Sequence, residues 1–444
     1  MPVLALDVGT SSVRAQVFDD RARRQGDAAK EKYRTDDPDV IVDLVRRAME
    51  SVGADVDAVG TSCFGHSMLA LDDAGRPLTP ILGWRDTRSA DAAEWLSRRV
   101  DPAVLHARTG CHIHTSYWPA KLAWLAATQP DVFRRARRFV SFADYLYAQL
   151  LEEEDIATSL SLASGTGLVD LRSHTWDRDL LATLGVDEAR LPRIDDAPVG
   201  DWYPALLDGA CSNIGAGCVT RERAALMIGT SGALRTVYET ETPMPRPGLF
   251  LYRLDPTRVV EGGALSDGGN LHRWLTDVLR DGEGSLADRD PSSHGLTFVT
   301  LLGGERSTGW HQHARGVVHG LTFDTTPLDL RQAALEGIGF RFADVLELMP
   351  EVHEIVATGG ALLSDAEWCQ IMADALARSI VLSDVSEASL RGAAVLTLER
   401  LGAHPDEPSV GKVFEPRLDR ADAYRAARER QRQLYEVATG ADTS

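Results

Sequence analysis

Two short segments of this chain carry the residue types that hold phosphate. Leu4–Phe18 reads LALDVGTSSVRAQVF and Ala224–Tyr238 reads AALMIGTSGALRTVY, the second starting 220 residues after the first in a chain of 444. In each, an apolar run enters Gly-Thr-Ser and a second apolar stretch leaves it. Consecutive backbone N–H groups and hydroxyls in such a turn can cradle phosphate oxygens. Gly9 is expected to supply backbone geometry closed to other residues and a close approach to ligand. A plain hairpin turn uses the same residue types, and the duplication at half-chain spacing favours the phosphate reading. Asp7 stands just before the first loop, where a magnesium ion on that phosphate would use its carboxylate. The matching position in the second copy is Met227, so the halves are expected to share a ligand and divide the chemistry.

Three further groups have chemical potential. Pro80–Arg88 is crowded with side chains suited to polyols, among them Trp84, Arg85 and Asp86. Arg85 or Arg88 offers a guanidinium that binds a sugar-acid carboxylate bidentately; the plainer alternative is a surface ion pair. Gly359-Gly360, between strand and helix signals, allows close approach to a flat or anionic ligand. The pairs His112/His114 and His311/His313 lack nearby Cys or carboxylate ligands at metal spacing, and are read as packed or solvated.

The elements that must position these residues alternate between strand and helix signals. Strands Val3–Leu6 and Val13–Phe18 flank the first loop, followed by helical periodicity over Val40–Val52 and a buried strand at Ala58–Ser62. Cys63–Met68 leads to a strand Leu69–Leu71 and a turn Asp72–Gly75. Helices are expected at Ala90–Arg99, Pro119–Ala127 and Tyr145–Leu151. The second half shows the hairpin Ala225–Tyr238, a strand Arg258–Glu261, the glycine-bearing run Gly262–Asn270 and a helix from Leu271 with Trp274 inward. A mobile loop is expected at Asp281–Ser293. Helix Leu330–Leu346, strand Ile355–Ala357, helix Asp365–Ala377 and a solvated charged helix Arg420–Val437 complete the pass. The boundary is expected near residues 215–224.

Composition sets limits. A chain of 444 residues suits two domains, each able to bury a core. Hydrophobic content of 44% and charged content of 25% point away from disorder. No apolar run approaches the ~20 residues that span a bilayer, and no signal-type segment precedes the first strand. A net charge of −19 argues against broad nucleic-acid binding. Five scattered cysteines read as free thiols in a reducing compartment, hence the cytoplasm.

The whole chain resembles the FGGY family of carbohydrate kinases, within the wider fold shared by actin and hexokinase. Asp7-Val-Gly-Thr-Ser-Ser12 is similar to the family's first phosphate motif and Ile228-Gly-Thr-Ser-Gly232 to its second. Thr358-Gly-Gly-Ala-Leu-Leu-Ser364, followed by Trp368, resembles the adenosine motif. Gly316-Val-Val-His-Gly-Leu321, with Asp329-Leu330 and Ala333-Ala-Leu-Glu336, matches the C-terminal signature. Around Pro119–Trp124 the likeness is weaker, because Trp118 stands where a small residue or proline is usual.

The resemblance implies an α/β protein of two actin-like (ribonuclease H-like) domains around a central cleft. Residues 1–219 would carry the sugar site, the first phosphate loop and the catalytic aspartate; residues 220–444 would carry the second loop and the adenosine site. It implies ATP and Mg2+ as cofactors. ATP would meet Gly9, Thr10, Ser11, Arg14, Gly229, Thr230, Ser231, Gly269, Gly359, Gly360, Ala361 and Ser364, and the metal would meet Asp7. The substrate would meet His66, Trp84, Arg85, Asp86 and Asp208. The family's catalytic aspartate falls on Asp208, in Asp208-Gly-Ala-Cys-Ser-Asn213. Phosphoryl transfer to an alcohol needs a carboxylate within reach of the hydroxyl proton; the alternative for Asp208 is a helix cap. Asp267 is a competitor, read as a nucleotide-contacting turn.

The expected activity is ATP-dependent phosphorylation of a hydroxyl of a small sugar or sugar acid. Gluconate comes first, and a xylulose-type ketopentose or polyol second. An actin-like ATPase without a sugar acceptor is the reading from another class. Partners are then the small-molecule sugar or sugar acid and ATP, with no nucleic acid, no membrane, and self-association as a homodimer. Hinges are expected near Gly215–Gly217 and Leu390–Ala394.

Overall fold

The computed structural model describes residues 1–53, 55–155, 157–279, 284–287 and 289–440. Part of the expected mobile loop, residues 281–283 and 288, lies outside the described residues. The chain forms two compact units. Unit 1 holds Met1–Val219, Val237–Glu261 and Glu387–Pro408; unit 2 holds Thr220–Thr236, Gly262–Ser386 and the chain from Ser409 on.

Unit 1 is built on a five-stranded sheet. Its strands are β1 (Val3–Gly9), β2 (Ser12–Phe18), β3 (Arg24–Lys32), β4 (Ala58–Cys63) and β5 (Leu206–Leu207), in the order β3-β2-β1-β4-β5. The first three form an antiparallel meander, and β4 and β5 run parallel to β1. β1 and β4 are buried almost throughout, which accounts for their near-continuous runs of apolar and small residues. β3 is an exposed edge strand reading RQGDAAKEK, with no alternation to announce it. Helix α1 (Pro38–Val52) starts where Asp37 accepts the N–H groups of Asp39 and Val40, with Pro38 in the first turn. It stops at Gly53, φ +55°.

Three more helices matter for the site in unit 1. Helix α2 (Trp118–Thr128) packs Trp118 and Leu122 into a core shared with Met68, Leu82 and Phe139. Helix α3 (Asp208–Gly215) follows β5 directly. A third helix, Ala388–Arg400, crosses it so closely that a Cβ on Gly392 would lie 1.8 Å from the Cys211 carbonyl oxygen. The reciprocal Cβ on Gly215 would lie 1.8 Å from the Ala388 oxygen. Gly215 and Gly392, within the expected hinge segments Gly215–Gly217 and Leu390–Ala394, are therefore in close helix-to-helix contact. The chain passes between units a few residues away, after Val219 and after Ser386.

Unit 2 has β6 (Arg223–Ile228), β7 (Gly232–Glu239), β8 (Arg258–Leu265), β9 (Glu354–Thr358), β10 (Ile380–Ser383) and β11 (Val410–Phe414), ordered β8-β7-β6-β9-β10-β11. β7 and β8 pass into unit 1 from Val237 onward and up to Glu261 respectively. β6 runs antiparallel to β7 and parallel to β9, repeating the relation of β1 to β2 and β4. β8 continues through Gly262 and Gly263, past the strand end expected at Glu261. A Cβ on Gly262 would lie 2.2 Å from the Leu234 oxygen and one on Gly263 2.6 Å from Val345, so glycine here serves packing within a strand.

Behind this sheet lies a nearly buried 21-residue helix, Pro327–Glu347, opened by a capping box between Thr326 and Asp329. The helix Gly269–Val278 presents Trp274 outward, 44% exposed, not inward as its spacing suggests. The charged helix Ala421–Thr439 is not simply solvated: Tyr424, Ala427 and Gln431 are buried, and Arg428 and Arg432 both pair with Asp344.

Candidate active site

Asp7 is the one charged side chain in the buried strand β1. Register sets it opposite Arg14 on β2 and opposite Ser62 on β4, and directly opposed residues share a face of the sheet. Arg14 Nη1 donates to Asp7 Oδ2 at 2.8 Å and Ser62 Oγ to Oδ1 at 2.9 Å. Arg14 Nε also lies 2.9 Å from a carboxylate oxygen of Glu387. Burial pushes the Asp7 carboxyl up to about 6, against the pull of Arg14 and Ser62; the charges of Asp208 and Glu387 add to the rise.

Asp208 stands on the same edge of the same sheet. Ser62 is level with Leu206 on β5, so Asp7, Ser62 and the residue preceding Asp208 by two form one row at the carboxyl ends of three parallel strands. That edge is where open α/β sheets place their ligands. Asp208 is the first residue of α3, with Leu207 at the cap position. Its Oδ1 accepts the adjoining Gly209 N–H at 2.8 Å, and it stands inside the first turn of the helix, not at the position of a side-chain cap. Its nearness registers in the upward push on Asp7.

The expected sugar-side residues cluster around the loops after β4. His66 adopts φ +63°. Its Nδ1 lies 2.6 Å from the Gly165 oxygen, and its ring meets Tyr117 at 5.0 Å and Tyr252 at 5.5 Å between centroids. Lys121, fully buried on α2, donates to the backbone oxygens of Ser116, at 2.9 Å, and His66, which holds this turn in place. Arg85 lies over the Trp84 ring and its Nη2 donates to Thr10 Oγ1 at 3.1 Å. The loop Pro80–Arg88 and the first Gly-Thr-Ser loop thereby touch. Asp86 is bound by Arg88, Nε to Oδ1 at 2.9 Å, and Arg88 lies over Trp124. Burial raises the Asp86 carboxyl, and the Arg88 bonds together bring it below its usual value. Of the two guanidiniums offered for a carboxylate, Arg88 is engaged and Arg85 has no ion-pair partner among the described residues.

In unit 2 three glycine-bearing turns converge. Gly229-Thr230-Ser231 joins β6 to β7, and its oxygens at Gly229 and Thr230 accept the N–H groups of Gly269 and Asn270 at 3.0 and 2.9 Å. A Cβ on Gly269 would sit 2.3 Å from the Gly229 oxygen. Gly359, φ +88°, follows β9, and its Cβ would lie 2.5 Å from the Ile228 oxygen. Gly360 and Ala361 then open the short helix Gly360–Leu363, and exposed Ser364 donates to the Ala361 oxygen at 3.2 Å. The expected nucleotide residues of this unit are thus brought into one neighbourhood, with backbone against backbone. Asp267 is turned inward and accepts the N–H groups of Leu302 and Gly303 at 3.0 and 3.3 Å. Burial pushes it up to about 7 against those bonds.

Two expectations about the loops change. Gly9 and Gly229 are not in the left-handed region, and a Cβ on either would meet nothing closer than 3.5 Å. These glycines leave open space at the loop; the backbone does not demand them. The two copies also differ in register. Gly9 pairs with Ser12 across a two-residue turn, whereas Ile228 pairs with Gly232 across three. Where unit 1 has Asp7 level with Ser62, unit 2 has Met227 level with Thr358.

Ser62 bonds Asp7, Glu387 pairs with Arg14 and Lys121 donates to His66, and no motif singles these three out. Lys121 alone had a local signal, as one cation within the apolar run Trp118–Trp124. The histidine pairs are engaged with protein: His112 Nε2 lies 3.0 Å from the Leu249 oxygen and His311 Nδ1 2.6 Å from Glu305. No group of three or more His, Cys, Asp or Glu among the described residues would hold a metal ion. A buried carboxylate such as Asp7 beside a Gly-Thr-Ser loop still fits magnesium, which takes one or two carboxylates and completes its shell with water and phosphate oxygens.

Comparison with known proteins agrees with this layout. Residues 2–200 match the model of the N-terminal domain of the FGGY family of carbohydrate kinases, and residues 224–398 that of its C-terminal domain. The chain is 27% identical to a gluconokinase of Bacillus subtilis, covering 90% of this chain and 88% of that one. A gluconate kinase from Lactobacillus acidophilus shares the fold, at TM-score 0.88 and 24% identity over 99% and 98% of the two chains. A ligand-bound xylulose kinase from the same organism superposes at TM-score 0.88 and 25% identity, covering 99% of each. The fold is therefore the two-domain, actin-like, ribonuclease H-like α/β fold. Kinases of this kind use ATP as phosphoryl donor and a sugar as acceptor, and this chain, matched by both family models over most of its length, belongs to the FGGY family of carbohydrate kinases.

Proposed function

We propose that this kinase acts on gluconate. The observation that carries the choice is Arg85: an exposed guanidinium with no carboxylate partner, lying over Trp84 and bonded to Thr10 of the first phosphate loop. A guanidinium so placed would bind the acid end of an aldonate bidentately, while His66 and Asp86 meet its hydroxyls. The likeness to a gluconokinase supports the same reading.

Asp208 accepts the proton of the attacking hydroxyl as the new P–O bond forms. Arg14 holds Asp7 in position, and Asp7 is the carboxylate available to a magnesium ion. That ion, when bound, neutralises phosphate charge. Gly229–Ser231, Gly269 and Gly359–Ala361 hold the nucleotide. The buried thiols and the family's small-molecule chemistry support a cytoplasmic enzyme.

A ketopentose such as xylulose is the second reading, favoured by the structural likeness to a xylulose kinase. ADP release measured with gluconate, xylulose, ribulose, erythritol and glycerol tests the choice. Gluconate should give the highest kcat/KM. Arg85→Ala should raise its KM by about tenfold or more, the loss expected for a charge-assisted bond. A higher kcat/KM for a neutral acceptor, with KM unmoved by Arg85→Ala, would exclude gluconate.

A further inference from the structure

A pocket of about 570 Å³ in unit 1 is lined by five arginines, Arg76, Arg134, Arg135, Arg137 and Arg190. None belongs to the candidate active site. Gathering five guanidiniums costs repulsion, and it is conspicuous in a chain of net charge −19. The pocket's two carboxylates do not offset it. Asp72 is used by its own turn, accepting the N–H groups of Ala74 and Arg76 at 2.9 Å and pairing with the Arg76 side chain. That leaves Asp73 for the remaining cations.

Those cations are presented in different ways. Arg190 is fixed: it donates to the backbone oxygens of Phe133 and Ala136 and lies over the rings of Phe133 and Phe139. Its Nε is buried without a hydrogen-bond partner. Arg134 pairs with Asp131, which is not among the lining residues. Arg135 and Arg137 are exposed, and neither side chain has an ion-pair partner among the described residues. We propose that this pocket binds a small anion carrying two phosphoryl groups. Guanidiniums match phosphate oxygens bidentately, and two phosphoryl groups supply the charge that a cavity of small-metabolite size needs to balance such a cluster.

The pocket also has a route to the sugar-side loops. Its turn, Asp72–Arg76, is the tip of a ladder: Leu71 opposes Pro77, and Met68 opposes Leu82. Met68 and Leu82 exchange backbone bonds at 3.1 and 2.9 Å. One arm continues to His66 and the other to Trp84, Arg85 and Asp86. Arg137 is tied to the ladder by its N–H on the Leu71 oxygen, at 2.7 Å. An anion that draws Arg76 toward Arg135 and Arg137 would stiffen this ladder and shift the affinity for the sugar.

The test uses the full chain saturated with ADP and magnesium, so that the nucleotide loops are filled, and glucose 1,6-bisphosphate as probe in calorimetry. Binding with Kd below about 1 mM is expected, weakened about tenfold or more by Arg135→Gln/Arg137→Gln. The equal-charge control Arg47→Gln/Arg172→Gln, at exposed positions elsewhere, should leave it unchanged. At saturating ATP, the probe should shift KM for the best acceptor in the native protein and not in the Arg135/Arg137 variant. No binding, or equal loss in both double variants, would overturn the site. Tighter binding of citrate would overturn the phosphate assignment, and binding without a change in KM would overturn the link to the sugar loops.

Discussion

Asp7 and Asp267 are both buried carboxyls, pushed up to about 6 and about 7 by burial. Their partners separate their roles. Asp267 spends its oxygens on two backbone N–H groups, which makes it a loop anchor. Asp7 meets a guanidinium and a hydroxyl, and keeps a charged environment in which a cation is welcome. The raised Asp7 value has a definite consequence for stability. The folded protein holds this proton more tightly than the unfolded chain, whose ordinary value is 3.8. The stability it contributes is therefore fully present below about pH 4 and lost as pH rises through about 6. Asp7→Asn removes that titration. Without metal and nucleotide, the variant should gain on the native protein between about pH 4 and pH 7, by up to roughly 3 kcal/mol in urea unfolding. A native protein that gains on the variant as pH rises would contradict the direction assigned to Asp7.

At the scale of elements, the crossing of α3 with the helix Ala388–Arg400 fixes the start of α3, where Asp208 stands. Gly392→Ala places a Cβ 1.8 Å from the Cys211 oxygen, a backbone clash that no rotamer relieves. It should cost about 3 kcal/mol or more of stability, read as a drop in Tm, and lower turnover by shifting Asp208. Unchanged stability would mean that the helices do not meet as described. The paired hairpins give a second element-level test. Asp7→Ala should weaken magnesium-dependent turnover strongly. Met227→Ala should leave the magnesium dependence of turnover unchanged and act only through packing. Equal effects on magnesium dependence would remove the division of labour between the hairpins. Elements whose burial is uniform or whose ends are capped, such as β1 and α1, are legible in sequence because local pattern and tertiary place agree. β3 is not, because an exposed edge strand has no apolar face to show. β8 reads four residues short because close packing selects glycine at Gly262 and Gly263, within the strand.

For the whole molecule, the family is legible and the detailed site only in part. Both Gly-Thr-Ser hairpins could be read from their repetition, and the chain folds each as an antiparallel strand pair. Asp208, by contrast, came from likeness to known kinases and not from any local spacing. Ser62, Glu387 and Lys121 reach the site across long sequence separations, through sheet register and helix packing that a single sequence does not display. The central claim is that Asp208 takes the proton of a sugar hydroxyl, so that ATP turnover depends on the sugar. Its most direct test is ADP release by the native chain and by Asp208→Asn, with magnesium–ATP, with and without gluconate, alongside ATP affinity. The native chain should release ADP rapidly only with the sugar. The variant should bind ATP nearly as well and turn over roughly 10²–10⁴-fold more slowly, the range for losing a general base. Near-normal sugar-dependent turnover in Asp208→Asn would contradict the account.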